Sequence, residues 1–258
     1  LNPIIVIPSR MASTRLPGKP LADIHGRPMI VHVLERALEA GIGPVAVACA
    51  EPEVAAAVRA AGAIAVMTDP SLPSGSDRVH AALAVLDPQG AHDVVVNLQG
   101  DLPTIPAVQL RAVITPLADP AVDIATLVAP IEDEAEARLA SVVKAACAFD
   151  RGRAVSAALY FSRAPIPAGD GPRWHHIGIY AYRRTALARY VALPESPLER
   201  REKLEQLRAL EAGMRIACAR VDHAPFGVDT PADLDRARRE LAPRRAGQPG
   251  ATPGGAAA

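Results

Sequence analysis

The sequence predicts an α/β protein with a mostly parallel central sheet flanked by helices and a smaller β-rich substructure. Three observations carry this. Short strand-like apolar runs alternate with helical stretches over residues 1–120, the pattern of a parallel sheet with crossover helices. From Asp123 onward, strand-like runs follow one another with few long helices between them. Proline and glycine mark several of the boundaries where such elements should begin and end.

The first strand is the run Ile4–Ile7. A helix over Pro28–Ala40 has proline at its first turn and Gly41 just past its end. Val45–Cys49, Ala63–Met67 and Asp93–Leu98 read as buried strands, and Glu51–Ala61, Ser76–Leu86 and Pro106–Leu117 as helices. In the second half, strands are predicted over Asp123–Val128, Val142–Phe149, Ala154–Phe161 and His175–Arg183. They describe a mixed sheet with a projecting substructure of the kind on which a second substrate or subunit docks. A helix over Pro197–Ala212 opens at Ser196 with Glu199 at capping-box spacing. A strand over Met214–Val221 and a helix from Pro231 to about Leu241 complete the order. Residues 1–242 thus read as a single domain with halves at about 1–120 and 121–242, and the Pro-, Gly- and Ala-rich stretch 243–258 as a disordered tail.

Composition narrows the function. Among 258 residues, 28 Lys and Arg balance 28 Asp and Glu, so no global charge draws the molecule to nucleic acid or to an acidic membrane. Cys49, Cys147 and Cys218 lie far apart without CxxC spacing, which predicts reduced thiols in a cytoplasmic protein and no zinc site. The apolar start is too short for a signal peptide or membrane span. Several apparent signals carry no function. The Gly41–Ala46 letters match a dinucleotide fingerprint but join a helix to a strand, the reverse of the required order. The acidic run Glu132–Glu136 opens a predicted helix, where carboxylates favour the dipole. The run Glu199–Lys203 reads as a solvated helix face. GxSxG, HExxH and P-loop motifs are absent from the sequence.

The basic charge is local. After the first strand, the stretch from Pro8 to Pro20 carries Arg10, Arg15 and Lys19, the hydroxyls of Ser9, Ser13 and Thr14, and Gly18, with no acid before Asp23. A loop with cations, backbone N–H groups and a permissive glycine at the carboxyl end of a strand suits a triphosphate. Asp101 leaves the end of a predicted buried strand after Gly100, facing the ligand crevice of an open α/β sheet, with a turn aspartate as the plain alternative. Near the C-terminus, Thr230 and Asp233 fill the capping positions of the last helix, leaving Asp229 free. Two carboxylates beside a triphosphate form a cage for Mg²⁺. In His175–Arg183, strand alternation puts His176, Gly178 and Tyr180 on one face, offered to a ligand, although a satisfied interior histidine fits equally. Glu205 and Gln206 are by default exposed polar positions of a helix.

Taken in order, Pro8–Arg10 through Lys19–Leu21, Ser74–Arg78, Gln99–Asp101, Leu159–Arg163, His176–Tyr180, Leu204–Arg208 and Gly227–Pro231 resemble the motifs of the 3-deoxy-manno-octulosonate cytidylyltransferases, the CMP-KDO synthetases of lipopolysaccharide synthesis. The resemblance runs from the first strand to the last helix. It implies a Rossmann-like nucleotidyltransferase fold with a nucleotide-binding first half and a sugar-binding, dimerising second half. The implied reaction transfers CMP from CTP to the anomeric hydroxyl of KDO and releases pyrophosphate. It also implies that Arg10 and Lys19, assisted by Arg15 and Ser13, hold the triphosphate; that Ser74, Gly75 and Arg78 read the cytosine; and that Gln99 contacts nucleotide or sugar. Asp101 and Asp229 would hold Mg²⁺. Arg163 would face the KDO carboxylate, and His176, Tyr180, Glu205 and Gln206 its hydroxyls. A homodimer is implied through the β-rich part. Leu102, Met11, Ala50 and His175 depart from the commoner family pattern, which touches the finer sugar preference rather than the proposed metal ligands. A sibling activating sialic acid or an amino-substituted KDO, and a nucleotide-binding regulator without turnover, are the rival readings.

Overall fold

A computed structural model describes residues 1–149 and 152–243. The predicted tail lies, beyond its first residue, outside them. β1 (Pro3–Ser9) leads through the basic loop to a hairpin of β2 (Asp23–Ile24) and β3 (Arg27–Pro28), then to α1 (Met29–Ala40), β4 (Val45–Cys49), α2 (Pro52–Ala60), β5 (Ile64–Met67), α3 (Gly75–Leu86), β6 (Val94–Asn97) and α4 (Ala107–Ala112). The second half comprises β7 (Ile124–Ile131), α5 (Glu134–Arg138), β8 (Lys144–Cys147), β9 (Val155–Ser162), β10 (Arg173–Arg183), α6 (Arg184–Val191), α7 (Pro197–Glu202), α8 (Gln206–Glu211), β11 (Ile216–Arg220) and α9 (Pro231–Glu240).

Among the described residues, nine strands form one sheet in the order β5-β4-β1-β6-β10-β7-β11-β9-β8. The strands from β5 to β6 are parallel, as is the β7/β11 pair. The pairings of β10 with β6 and β7, and of β9 with β8 and β11, are antiparallel. The mostly parallel expectation therefore describes the first half, whereas the second is mixed. β10 also pairs with β8, so the five strands from β10 to β8 close into a ring. In β1, Ile5 and Ile7 face one apolar cluster and Ile4 and Val6 another, all 3% exposed or less. Burial on both faces is what makes such strands continuously apolar.

Three elements differ from the sequence reading. The predicted helix to Leu117 ends at Ala112 and resumes as a 3₁₀ turn over Thr115–Ala118; Pro116 cannot sit in a helix interior without clashing with the carbonyl four residues back. The predicted helix Pro197–Ala212 is two helices, broken where Lys203 takes a left-handed φ of 57°. Leu204 and Leu207, on the far side of the break, are both buried in the core. α6, absent from the sequence reading, follows β10 directly.

Packing also explains how distant segments meet. Ile24 and Met29, next to the hairpin, form an apolar cluster with Val228, Leu234 and Ala237. α9 is thereby held against the segment that follows the basic loop, and Asp229 at its start is delivered to the carboxyl end of β1.

Candidate active site

Gly18, at φ 69°, opens a 3₁₀ turn that raises Lys19 into a cleft at the carboxyl ends of β1 and β6. Its Nζ lies 2.9 Å from Asp101 Oδ2 and 3.1 Å from Asp229 Oδ1. Arg15 Nη2 is 3.0 Å from the other oxygen of Asp229. Burial disfavours the Lys19 charge, but Asp101 and then Asp229 outweigh it, so the ammonium's pKa is raised. The two carboxylates come from segments tied together by a 2.9 Å bond from the Val228 N–H to the Asp101 carbonyl. Asp229 is free of capping duty: Thr230 and Asp233 form a reciprocal capping box at the start of α9.

Around this charge cluster the cleft is lined by Ser9, Arg10, Ser13, Ser74, Gly75, Arg78, Gln99 and Gly100 among others. Arg10 is exposed at the lip. The Ser13 hydroxyl accepts from Leu16 N–H at 3.3 Å and so shapes the basic loop. Ser74 caps α3, accepting from the Asp77 N–H at 3.2 Å. Gly100 permits a close approach, since a Cβ there would stand 3.1 Å from the Pro8 carbonyl oxygen. Arg78 is buried and donates to Thr68 Oγ1 at 2.6 Å and to the Asp69 carbonyl at 3.1 Å, so it also holds the 68–70 segment at the cleft's side.

A second cleft adjoins the first and shares Gly75 and Gln99 with it. Its walls include Tyr180, Tyr182, Tyr190, Lys203, Glu205 and Gln206. Gln99 donates to Asn97 Oδ1 at 3.0 Å, and Asn97 donates to Ser76 Oγ at 3.3 Å, which in turn lies 3.3 Å from the Tyr182 hydroxyl. The junction of the two clefts therefore rests on a polar chain anchored in the core. The Nε2 of Gln206 is buried without a hydrogen-bond partner among the described residues. Enclosure raises the pKa of Glu205 more than Arg208 lowers it.

Four sequence-predicted site residues line neither wall: Arg15 and Asp229, which join the charge cluster of the first cleft through their ion pairs, and Arg163 and His176. Arg163 spends its guanidinium on backbone carbonyls: Nε on Glu202 at 2.8 Å, Nη1 on Ala140 at 2.9 Å and Nη2 on Lys203 at 3.2 Å. Three of its five N–H donors are thus engaged on backbone, and one remains on each terminal nitrogen. His176 is 7% exposed, with Nε2 at 3.0 Å from Thr126 Oγ1 and its ring edge-on to Phe161. It stands behind Tyr180, whose ring centroid is 5.6 Å away. Burial, with His175 beside it, lowers its pKa to about 3. This is the interior-histidine alternative rather than the ligand-facing one. Conversely, Asn97, Tyr182, Tyr190 and Lys203 line the second cleft unforeseen. Tyr182 continues the strand alternation that singled out Tyr180; Tyr190 lies on the unforeseen α6 and Lys203 at the unforeseen helix break.

Among the described residues no group of three or more His, Cys, Asp or Glu side chains is placed to hold a metal; Asp101 and Asp229 meet at the Lys19 ammonium. A basic loop, a carboxylate that follows a parallel strand paired with one that precedes α9, and an adjoining polar cleft define a nucleotidyltransferase-type site. Residues 4–216 match the family model described as cytidylyltransferase. The 3-deoxy-manno-octulosonate cytidylyltransferase of Paramagnetospirillum magneticum is 63% identical over 93% of this chain and 98% of its own length. That of Rhodospirillum centenum is 62% identical over 96% of each. A solved CMP:2-keto-3-deoxy-manno-octonic acid synthetase complexed with CTP superposes with a TM-score of 0.86 at 44% identity, covering 94% of this chain and 99% of that one. The chain belongs to the 3-deoxy-manno-octulosonate cytidylyltransferase family.

Proposed function

We propose that the protein activates KDO for lipopolysaccharide synthesis by transferring CMP from CTP to its anomeric hydroxyl. The hydroxyl oxygen attacks the α-phosphorus, the bond to the β-phosphate bridging oxygen breaks, and pyrophosphate leaves. The observation that carries this reading is the pair of clefts sharing Gly75 and Gln99, with Lys19 and Asp101 in the first and Asp229 paired to that Lys19. Such a layout sets a nucleotide and a second substrate side by side, which supplies the proximity a transfer needs.

Arg10, Ser13, Arg15 and Lys19 bind the triphosphate and match the charge that grows on the leaving oxygens. Ser74, Gly75 and Arg78 take the cytosine side, and Gln99 bridges the two substrates. Tyr180, Glu205 and Gln206 bind sugar hydroxyls, while Lys203 lends positive charge to a carboxylate in the second cleft. Asp101 and Asp229 present hard anionic oxygens to one shared cation, the Lys19 ammonium, and this donor set fits Mg²⁺. Mg²⁺ held there would polarise the α-phosphate and acidify the attacking hydroxyl. The Rossmann-like nucleotidyltransferase arrangement, a homodimer formed through the β-rich half and a cytoplasmic location belong to the same proposal. Among the described residues, no helix is long and apolar enough to cross a membrane.

The test is a pyrophosphate-release assay on the purified protein with CTP, Mg²⁺ and a panel of ulosonic acids. Steady release with KDO is expected. Faster turnover of a nine-carbon acid would reassign the sugar, and no release with any acid would sink the enzymatic reading.

A further inference from the structure

The basic loop between β1 and the 3₁₀ turn at Lys19 is irregular, so its shape depends on contacts with the rest of the molecule. One such contact stands at its start. The Met11 N–H donates to Glu51 Oε2 at 2.9 Å, across 40 positions of the chain. Met11 lies between Arg10 and Ala12, both of which line the first cleft.

Glu51 is free to make this bond for a reason like the one that frees Asp229. It precedes α2 with an extended backbone, φ −120° and ψ 146°, where a carboxylate ordinarily accepts from the first N–H groups of its own helix. Here the side chain makes no such bond and reaches across to the loop instead. Strand register puts it there. β1 and β4 run side by side from Ile5 and Val45 to Ser9 and Cys49, and the Ala50 N–H continues the ladder onto the Ser9 carbonyl at 3.0 Å. Arg10–Met11 and Ala50–Glu51 are thus the next residues along two paired strands.

From Met11 the contact passes on toward Lys19. The Met11 side chain packs against the core, and its Cε stands 3.5 Å from where a Cβ would be at Gly18, the residue whose backbone opens the turn carrying Lys19. Both ends of the loop therefore meet at Met11. Glu51 also places negative charge near the cations: burial lowers the Arg78 pKa, Glu51 opposes that shift and Arg10 adds to it.

From this geometry we infer that Glu51 is a positioning residue for the triphosphate loop: its carboxylate oxygen holds the Met11 N–H, and through Met11 the Arg10 and Lys19 ends of the loop, and it touches no substrate. The inference rests on the nucleotide reading of the first cleft given above. Glu51 lines neither cleft. Its charge opposes a polyanion, so what it contributes to the site is the acceptor.

The experiment titrates CTP with Mg²⁺ by calorimetry into the full chain and into Glu51→Ala and Glu51→Gln, with the KM for CTP and for KDO read in parallel and amide hydrogen exchange followed at Met11 without ligand. Glu51→Ala leaves the N–H without its acceptor, and CTP should bind about tenfold more weakly, the scale of one charge-assisted hydrogen bond, with the KM for KDO held. Glutamine keeps an acceptor oxygen and drops the charge, so Glu51→Gln should bind CTP as tightly as the wild type or more so. Exchange at Met11 should quicken in the alanine variant and stay slow in the glutamine one. Undiminished CTP binding by Glu51→Ala would overturn the inference. An equal loss in both variants would overturn it as well, since the charge rather than the acceptor would then be what the loop needs. If Glu51→Ala does not fold, Glu51→Leu is read in its place. If the wild-type chain binds no CTP, the nucleotide reading has failed, and exchange at Met11 alone then decides whether Glu51 holds the loop.

Discussion

The two clefts are built on different principles. In the first, the side chains that matter follow the ends of β1 and β6 or precede α9, and they organise one another by charge: Lys19 bridges Asp101 and Asp229, and Arg15 completes the cluster. In the second, the wall is a strand, a helix and a helix break, and its order comes from uncharged chains and backbone clamps such as Asn97–Ser76–Tyr182 and Arg163–Glu202. A charge-organised site is pre-formed for a polyanion and a metal. A clamp-organised site is shaped by packing and hydrogen bonds to backbone rather than by paired charge.

The largest test of that contrast is at the carboxylates. Asp101→Asn and Asp229→Asn should each reduce pyrophosphate release by about 10³-fold, the scale expected when preorganised charge at a transferring phosphoryl group is lost. Lys19→Met should lower kcat/KM for CTP by roughly 10²-fold while moving the KM for KDO far less. The second cleft should give the reverse split. Gln206→Leu removes a buried donor that has no partner among the described residues, so thermal stability should hold or rise while the KM for KDO climbs by about tenfold. A shift confined to CTP parameters in that variant would erase the division between the clefts.

The smallest effect on turnover belongs to His176. Its folded pKa lies near 3, below its ordinary 6.5, so the unfolded chain binds the extra proton first. Its stabilising contribution is complete above pH 6.5 and fades as pH falls toward the folded value. Urea unfolding should therefore weaken by about 1–2 kcal/mol between pH 6.5 and 5 from this group, a slope that His176→Phe should reduce. The pH profile of kcat/KM for KDO should show no ionisation traceable to His176. Such an ionisation would return the ring to the sugar site.

The first cleft was largely legible in the sequence because its signals are local. A cationic loop follows a short apolar strand, Asp101 follows a glycine at a strand end, and the capping geometry around Thr230 and Asp233 leaves Asp229 over. That Asp101 and Asp229 would meet follows from apolar packing of Ile24 and Met29 against α9, which no spacing in the chain announces. The second cleft was less legible for equally physical reasons. α6 begins at Arg184 with no side-chain cap from Arg183, and the α7–α8 break is made at a lysine rather than a glycine or proline. The resemblance implies that Arg163 faces the sugar carboxylate; its partners in the free protein are backbone carbonyls, which every residue possesses and no sequence pattern distinguishes.

The account depends most on Asp101 and Asp229 acting as one anionic pair beside bound nucleotide. Calorimetric titration of Mn²⁺ into the protein saturated with a non-hydrolysable CTP analogue tests this without turnover. Tight binding that either Asp101→Asn or Asp229→Asn alone abolishes is the predicted result. Undiminished Mn²⁺ affinity in either variant would contradict it.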